Sequence, residues 1–161
     1  MNGSQIYIGT PNGVVLCVNG VYEDRLDACF YTSYSRDPVR VESWVQLLFE
    51  MEYFFDQLHF PYSSTNNRSF KGDVKKEYWK GRKEKIVRDE ELLMNHGDLG
   101  SFIIRVQHRQ NSSWQGRITW VENNKTMMFR SVWEMIKLME SALDTHNPGE
   151  EPEFKISWNE E

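Results

Sequence analysis

One pattern occurs twice in this chain, and it restricts the fold more than any other feature. Residues 41–55 read VESWVQLLFEMEYFF and residues 129–143 read FRSVWEMIKLMESAL. Aligned without a gap, Ser43 meets Ser131, Gln46 meets Glu134, Leu47 meets Met135, Leu48 meets Ile136, Met51 meets Met139 and Glu52 meets Glu140. Each segment opens on a serine whose hydroxyl can accept from a free first-turn amide. Each then carries apolar residues at helical spacing. Each also follows a stretch that alternates as strands do. The expectation is an α+β chain of two pseudo-repeats. Each repeat is a three-stranded antiparallel sheet plus one helix, and a charged helical connector joins them.

In the first repeat, expected over 1–61, residues 5–8 suggest a short strand before the Pro11-Asn12-Gly13 turn, and Val14–Val18 a β-branched strand. Asn19-Gly20 reads as a turn, 26–34 as a second strand, Asp37-Pro38 as another turn and 39–41 as a third strand. A helix from Ser43 to about Leu58 buries Trp44, Leu47, Leu48, Met51, Phe54, Phe55 and Leu58, and Pro61 prevents continuation. The connector, 62–98, begins polar and reads as helical over 73–95, interrupted at Gly81. In the second repeat, 99–143, strands are expected over 102–109, 114–122 and 125–130, and the helix from Ser131 to Leu143. In the remainder, 144–161, Phe154–Trp158 could add an edge strand. The repeats could pack as a pseudo-dimer or join strands into one longer sheet.

Charge is segregated along the chain. Residues 68–88 hold nine Lys or Arg against three acids, and 144–161 one Lys against six acids, within a formal net charge of −5. An aromatic share of 14% demands a packed core or a partner. No apolar run approaches a membrane span, and MNGSQIYIGT lacks a charged start followed by an apolar stretch. A cytoplasmic protein without a membrane partner is expected. Cys17 and Cys29 could face each other across a hairpin, with reduced thiols expected in that compartment. With His59, His96, His108 and His146 scattered, zinc-ligand spacing is missing and no cofactor is expected.

Three groups are candidate binding surfaces. Arg105, Arg109 and Arg117 would cluster across strands on one sheet face, where guanidiniums bind phosphate or carboxylate. The alternative is an ordinary solvated face. Lys75, Lys76, Lys80, Arg82, Lys83, Lys85 and Arg88 surround Trp79 in the connector, a composition suited to a nucleic-acid backbone with base stacking. The alternative is docking on the acidic N-terminal half. Glu42, Glu50, Glu52 and Asp56 lie around the first helix, as an acidic partner face or merely its wet side. Asp56 and His59 stand three apart, but no nucleophile elbow, HExxH or phosphate loop accompanies them. Catalysis is not expected.

The stretch 101–143, at Ile104-Arg105-Val106-Gln107, Trp114-Gln115-Gly116, Trp120 and Phe129-Arg130-Ser131, resembles the C-terminal signature of a family of short, uncharacterised proteins from Clostridia. Residues 34–61 and Arg68-Ser69-Phe70 resemble that family too, so about two-thirds of the chain is covered. The resemblance implies a bacterial protein associated with mobile elements, and it implies no activity. In pattern alone, three strands then a helix is similar to the DNA-binding arm domains of phage-type integrases. Those domains are strongly basic, whereas this chain is acidic.

The expected function is binding. It points to a protein or nucleoprotein partner, as for an inhibitor of the anti-CRISPR kind. Alternatives are a DNA- or RNA-binding regulator using the arginine face, and a homo-oligomeric scaffold.

Overall fold

Val14–Tyr22 (β1) and Gly100–His108 (β4) are the two most completely buried strands, and they pair with each other in antiparallel register. That pairing places both sets of strands in one sheet. Arg25–Thr32 (β2) and Ser35–Val41 (β3) extend the sheet on one side, Gln115–Trp120 (β5) and Lys125–Phe129 (β6) on the other. The result is one six-stranded antiparallel sheet in the order β3-β2-β1-β4-β5-β6. Among the described residues three helices complete this α+β fold: Trp44–Leu58 (α1), Asp89–Leu92 (α2) and Val132–Leu143 (α3). The computed structural model describes residues 6–23, 25–64, 68–72 and 83–144.

The ladders of the two halves share most of their register, except that the break between Phe30 and Thr32 in β2–β3 has no counterpart in β5–β6, where Trp120 pairs with Lys125. The shift that carries Ser43 onto Ser131 carries the pair Leu16↔Phe30 onto Ile104↔Ile118. It also carries Phe30↔Val39 onto Ile118↔Met127 and Ala28↔Val41 onto Gly116↔Phe129. The register break between Val18 and Gly20 falls onto that between Val106 and His108. Val15 falls onto its own partner, Ile103.

Both long helices begin as their sequences require. Ser43 Oγ accepts from Gln46 N–H at 3.0 Å, and Gln46 Oε1 accepts from Glu42 N–H at 2.8 Å. Ser131 Oγ accepts from Glu134 N–H at 3.1 Å, and Glu134 Oε1 accepts from Arg130 N–H at 3.2 Å. Replacing either serine by alanine should cost about 1 kcal/mol in urea unfolding. The double variant should lose the sum, because the caps share no partner.

One sheet face carries the main core. Leu16, Phe30, Phe102, Ile104 and Ile118 pack there against Leu47, Met51 and Phe55 of α1 and Met135 and Met139 of α3. The opposite face is covered at its centre rather than left free. Val15, Cys17 and Ile103 lie under Ile8, Val87 and Leu92. Both strips are anchored: Ile86 and Val87 N–H donate to Ser33 O at 2.8 and 3.0 Å, and Asn12 Nδ2 donates to Val106 O at 2.9 Å.

Four local expectations are corrected. Residues 6–8 form no strand; they lie across the sheet and lend Tyr7 and Ile8 carbonyls to Arg105. Asn19-Gly20 is a bulge inside β1, and its turn chemistry is used elsewhere, Asn19 Oδ1 accepting from Asp98 N–H at 3.0 Å. Asp37-Pro38 lies within β3, an edge strand, where a missing N–H need cost no ladder bond. Of the helix expected over 73–95, the described part is helical only at Asp89–Leu92; Asn95 Nδ2 donates to the carbonyls of Glu91 and Leu92 and closes the turn. The expected strand over 154–158 and residues 73–82 lie outside the described residues.

Candidate functional site

The register break at Gln107 decides where the arginines go. Strict alternation would put Arg105 and Arg109 on one face, but an extra residue between Val106 and His108 turns the chain over. Arg105 stays opposite the long helices, and Arg109 emerges on the side of α1. The cross-strand cluster expected from the sequence is therefore replaced by two separate, buried guanidinium sites.

Arg109 is 4% exposed and ties three segments together. Its Nη1 donates to Asp56 Oδ1 at 2.7 Å and Glu52 Oε1 at 3.1 Å, and its Nε donates to Pro61 O at 2.8 Å. Glu52 Oε2 accepts from Trp114 Nε1 at 2.8 Å, and the Trp114 ring meets Phe55 edge-on at 5.3 Å. Arg109 O also accepts from Ser64 N–H at 3.2 Å. Glu52 and Asp56, expected on a partner face, are thus spent largely inside the protein. The Asp56 carboxylate, one half of the candidate Asp56/His59 dyad, is an anchor for Arg109.

Arg105, 7% exposed, lies under the N-terminal strip. Nε donates to Ile8 O at 2.9 Å, Nη2 to Tyr7 O at 2.8 Å and Nη1 to Thr119 Oγ1 at 3.2 Å. The Tyr7 ring lies 5.1 Å from its guanidinium carbon. Burial holds its pKa below the ordinary arginine value, and the Arg117 charge acts in the same direction. Only Arg117, paired across the ladder with Arg105, faces solvent.

In the connector, Lys83, Lys85 and Arg88 are exposed, and Arg88 pairs with Glu91 at 3.6 Å. Lys83 and Lys85 line a cleft with His59, Phe60 and Tyr34 at the carboxyl end of α1. Lys75, Lys76, Trp79, Lys80 and Arg82 lie outside the described residues. Cys17 and Cys29 are cross-strand partners and both are free thiols. Burial, reinforced by Cys29 and Glu122, pushes the Cys17 thiol up to about 12.

The feature that sequence reasoning missed is the outer face of α1. Val45, Phe49 and Tyr53 stand one turn apart and are all exposed, Phe49 at 72%. Glu42 is exposed and Glu50 partly so beside them. Trp133, the counterpart of Val45 on α3, is also exposed, with Lys137 over its ring at 4.9 Å. The signal was present: three large apolar residues at spacing four fall outside the stripe already needed for the core. Between the helices, Leu48, Phe49, Trp114 and Val132, with Arg68 and Glu52, line a cleft of about 660 Å³.

Among the described residues no helix is long and apolar enough to cross a membrane. No group of three or more His, Cys, Asp or Glu among them could hold a metal ion. No protein-family model matches the chain, and no curated protein or solved structure shows significant similarity to it.

Proposed function

We propose that this protein acts by binding and not by catalysis: a bacterial mobile-element or phage protein that engages a nucleic-acid-handling protein machine, as an inhibitor of the anti-CRISPR kind. The observation that carries this reading is the exposed Val45-Phe49-Tyr53 row on α1, flanked by Glu42 and Glu50. Aromatic anchors supply most of the energy of a protein interface. Carboxylates beside them favour a cationic partner, such as a channel that holds nucleic acid. The sheet face offers a direct DNA or RNA binder less, since Arg105 and Arg109 are committed to internal oxygens.

We also read the matching ladders as two βββα repeats that share one sheet. A local two-fold at Val15 and Ile103 relates them, which sets α1 and α3 side by side with their outer faces available together.

The test is capture of partners from a bacterial lysate by the tagged protein, with and without nuclease. A protein partner that survives digestion and binds Phe49→Ala at least about tenfold more weakly is expected. That substitution should leave the fold intact, since the ring is mostly in solvent. Recovery of nucleic acid alone, lost on digestion and steeply weakened by salt, would replace this reading with direct nucleic-acid binding.

A further inference from the structure

The shift that relates the halves carries the ladder pair Cys17↔Cys29 onto Arg105↔Arg117. In each pair the central-strand residue is buried and feels the one across from it: Arg117 acts on the Arg105 charge, and Cys29 on the Cys17 thiol. Two guanidiniums so placed only repel. Two thiols can bond. Cross-strand partners stand about 4.5 or 5.5 Å apart at Cα, according to whether they exchange backbone hydrogen bonds. Either spacing lies within the range of about 4.4–6.8 Å that a disulfide needs. Both cysteine side chains are on the face opposite the long helices, in the second core with Val15, Ile103, Val87 and Leu92.

We infer that Cys17 and Cys29 are a reversible oxidation site: hydrogen peroxide converts them to a cross-strand disulfide that staples β1 to β2 within the folded chain. Cys29 is the half-buried thiol and Cys17 the buried one, so a small peroxide reaches Cys29 first. The Cys29 thiolate, its proton gone to solvent, attacks one peroxide oxygen. The O–O bond breaks, an S–O bond forms, and the other oxygen leaves as hydroxide that solvent protonates to water. Cys29 is then a sulfenic acid. Cys17 Sγ next attacks Cys29 Sγ: the S–S bond forms, the S–O bond breaks, and the departing hydroxide takes the Cys17 proton as a second water. The two thiols lose two electrons, and the peroxide gains them. Burial suits this order, since a thiol pushed up to about 12 is a poor first nucleophile at neutral pH. Closing the bond costs Cys29 Sγ only its weak 3.8 Å hydrogen bond to Tyr31 Oη. This inference is independent of the function proposed above, which uses α1.

Hydrogen peroxide added to the folded, reduced full chain tests it. Remaining thiols are then capped with N-ethylmaleimide, and the intact mass and a non-reducing peptide map are recorded. The expected result is a monomer that has lost two hydrogens, takes up no cap, and yields one peptide pair joined through Cys17 and Cys29. Its urea midpoint should rise, and dithiothreitol should restore both the mass and the midpoint. In Cys17→Ala, peroxide should leave Cys29 as a sulfenic acid that dimedone traps. In Cys29→Ala, Cys17 should react at least about tenfold more slowly than Cys29 does in Cys17→Ala. Treated wild-type chain in which both thiols still take the cap would overturn the proposal. So would oxidation that stops at Cys29 with Cys17 still free, or a disulfide that joins two copies at doubled mass. A link that forms only in urea would overturn it too, by placing the two sulfurs out of reach in the folded chain.

Discussion

Arg109→Met should destabilise the protein by about 3 kcal/mol, seen as a lower urea midpoint with an unchanged slope. The methionine keeps most of the stem packing over Phe55, so the loss reports the charge and its hydrogen bonds. What it strands is Asp56 and Glu52, whose carboxylates converge on Nη1 at 2.7 and 3.1 Å with little access to water. Two anions held together without their cation repel each other and are poorly solvated, so removing one partner costs more than the intact cluster is worth. Exposures of 26% for Glu52 and 16% for Asp56 keep the figure at the lower end of such losses. Adding Asp56→Asn to Arg109→Met should return part of the stability, because one stranded charge is gone. Glu52→Gln alone should be milder, since an amide oxygen can still accept from Trp114 Nε1. A loss below about 0.5 kcal/mol for Arg109→Met would mean that the cluster is solvated like a surface pair. The same residue fixes α1 against the 61–64 segment, so the variant should also blunt any binding by the Phe49 face.

This makes charge reversal of Arg105 and Arg109 a poor probe of nucleic-acid binding. Either glutamate would sit among carbonyl oxygens or carboxylates, and loss of fold would mimic loss of binding. Arg117→Glu asks the same question from solvent.

The helices were legible because two local signals agreed. A serine cap preceded each apolar stripe, and the observed starts at Trp44 and Val132 follow directly from Ser43 and Ser131. The strands were legible where β-branched or alternating residues ran on, and less so where turn residues intervened. Asn19 and Pro38 both carry turn chemistry, yet pairing with neighbouring strands overrode it in each case. The arginine sites were misplaced for a related reason. A bulge is not written in residue type, and one at Gln107 inverts every inference drawn from alternation beyond it. The partner of Arg109 was nevertheless foreshadowed: Glu52 and Asp56 lie one turn apart beside the buried Met51 and Phe55, where a carboxylate pair needs a cation. The joining of β1 to β4 had no local signal, since either packing buries the same residues of a single unit.

The sharpest asymmetry between the halves is at Gly116, whose counterpart under the shift is Ala28. Ala28 is buried in the main core and its methyl is accommodated. A methyl on Gly116 would fall inside contact distance of the Arg105 carbonyl oxygen, with the Arg105 carbonyl carbon and Val106 Cα each about 3.0 Å away. All three are main-chain atoms, so no side-chain rotation relieves the clash, and β4 and β5 must separate. Gly116→Ala should therefore cost at least about 2 kcal/mol, despite the usual gain from replacing a strand glycine. Ala28→Gly should cost only about 1 kcal/mol, from backbone entropy and a lost methyl. The measurement is paired urea unfolding, with exchange at β5 and β6 as the local readout. Separating β4 from β5 also shifts Thr119 away from Arg105 Nη1, so exchange should rise there before it rises at β1–β2. Equal costs at the two positions would mean that the close approach of β4 and β5 at Gly116 relaxes freely, and that the halves differ in sequence but not in backbone spacing.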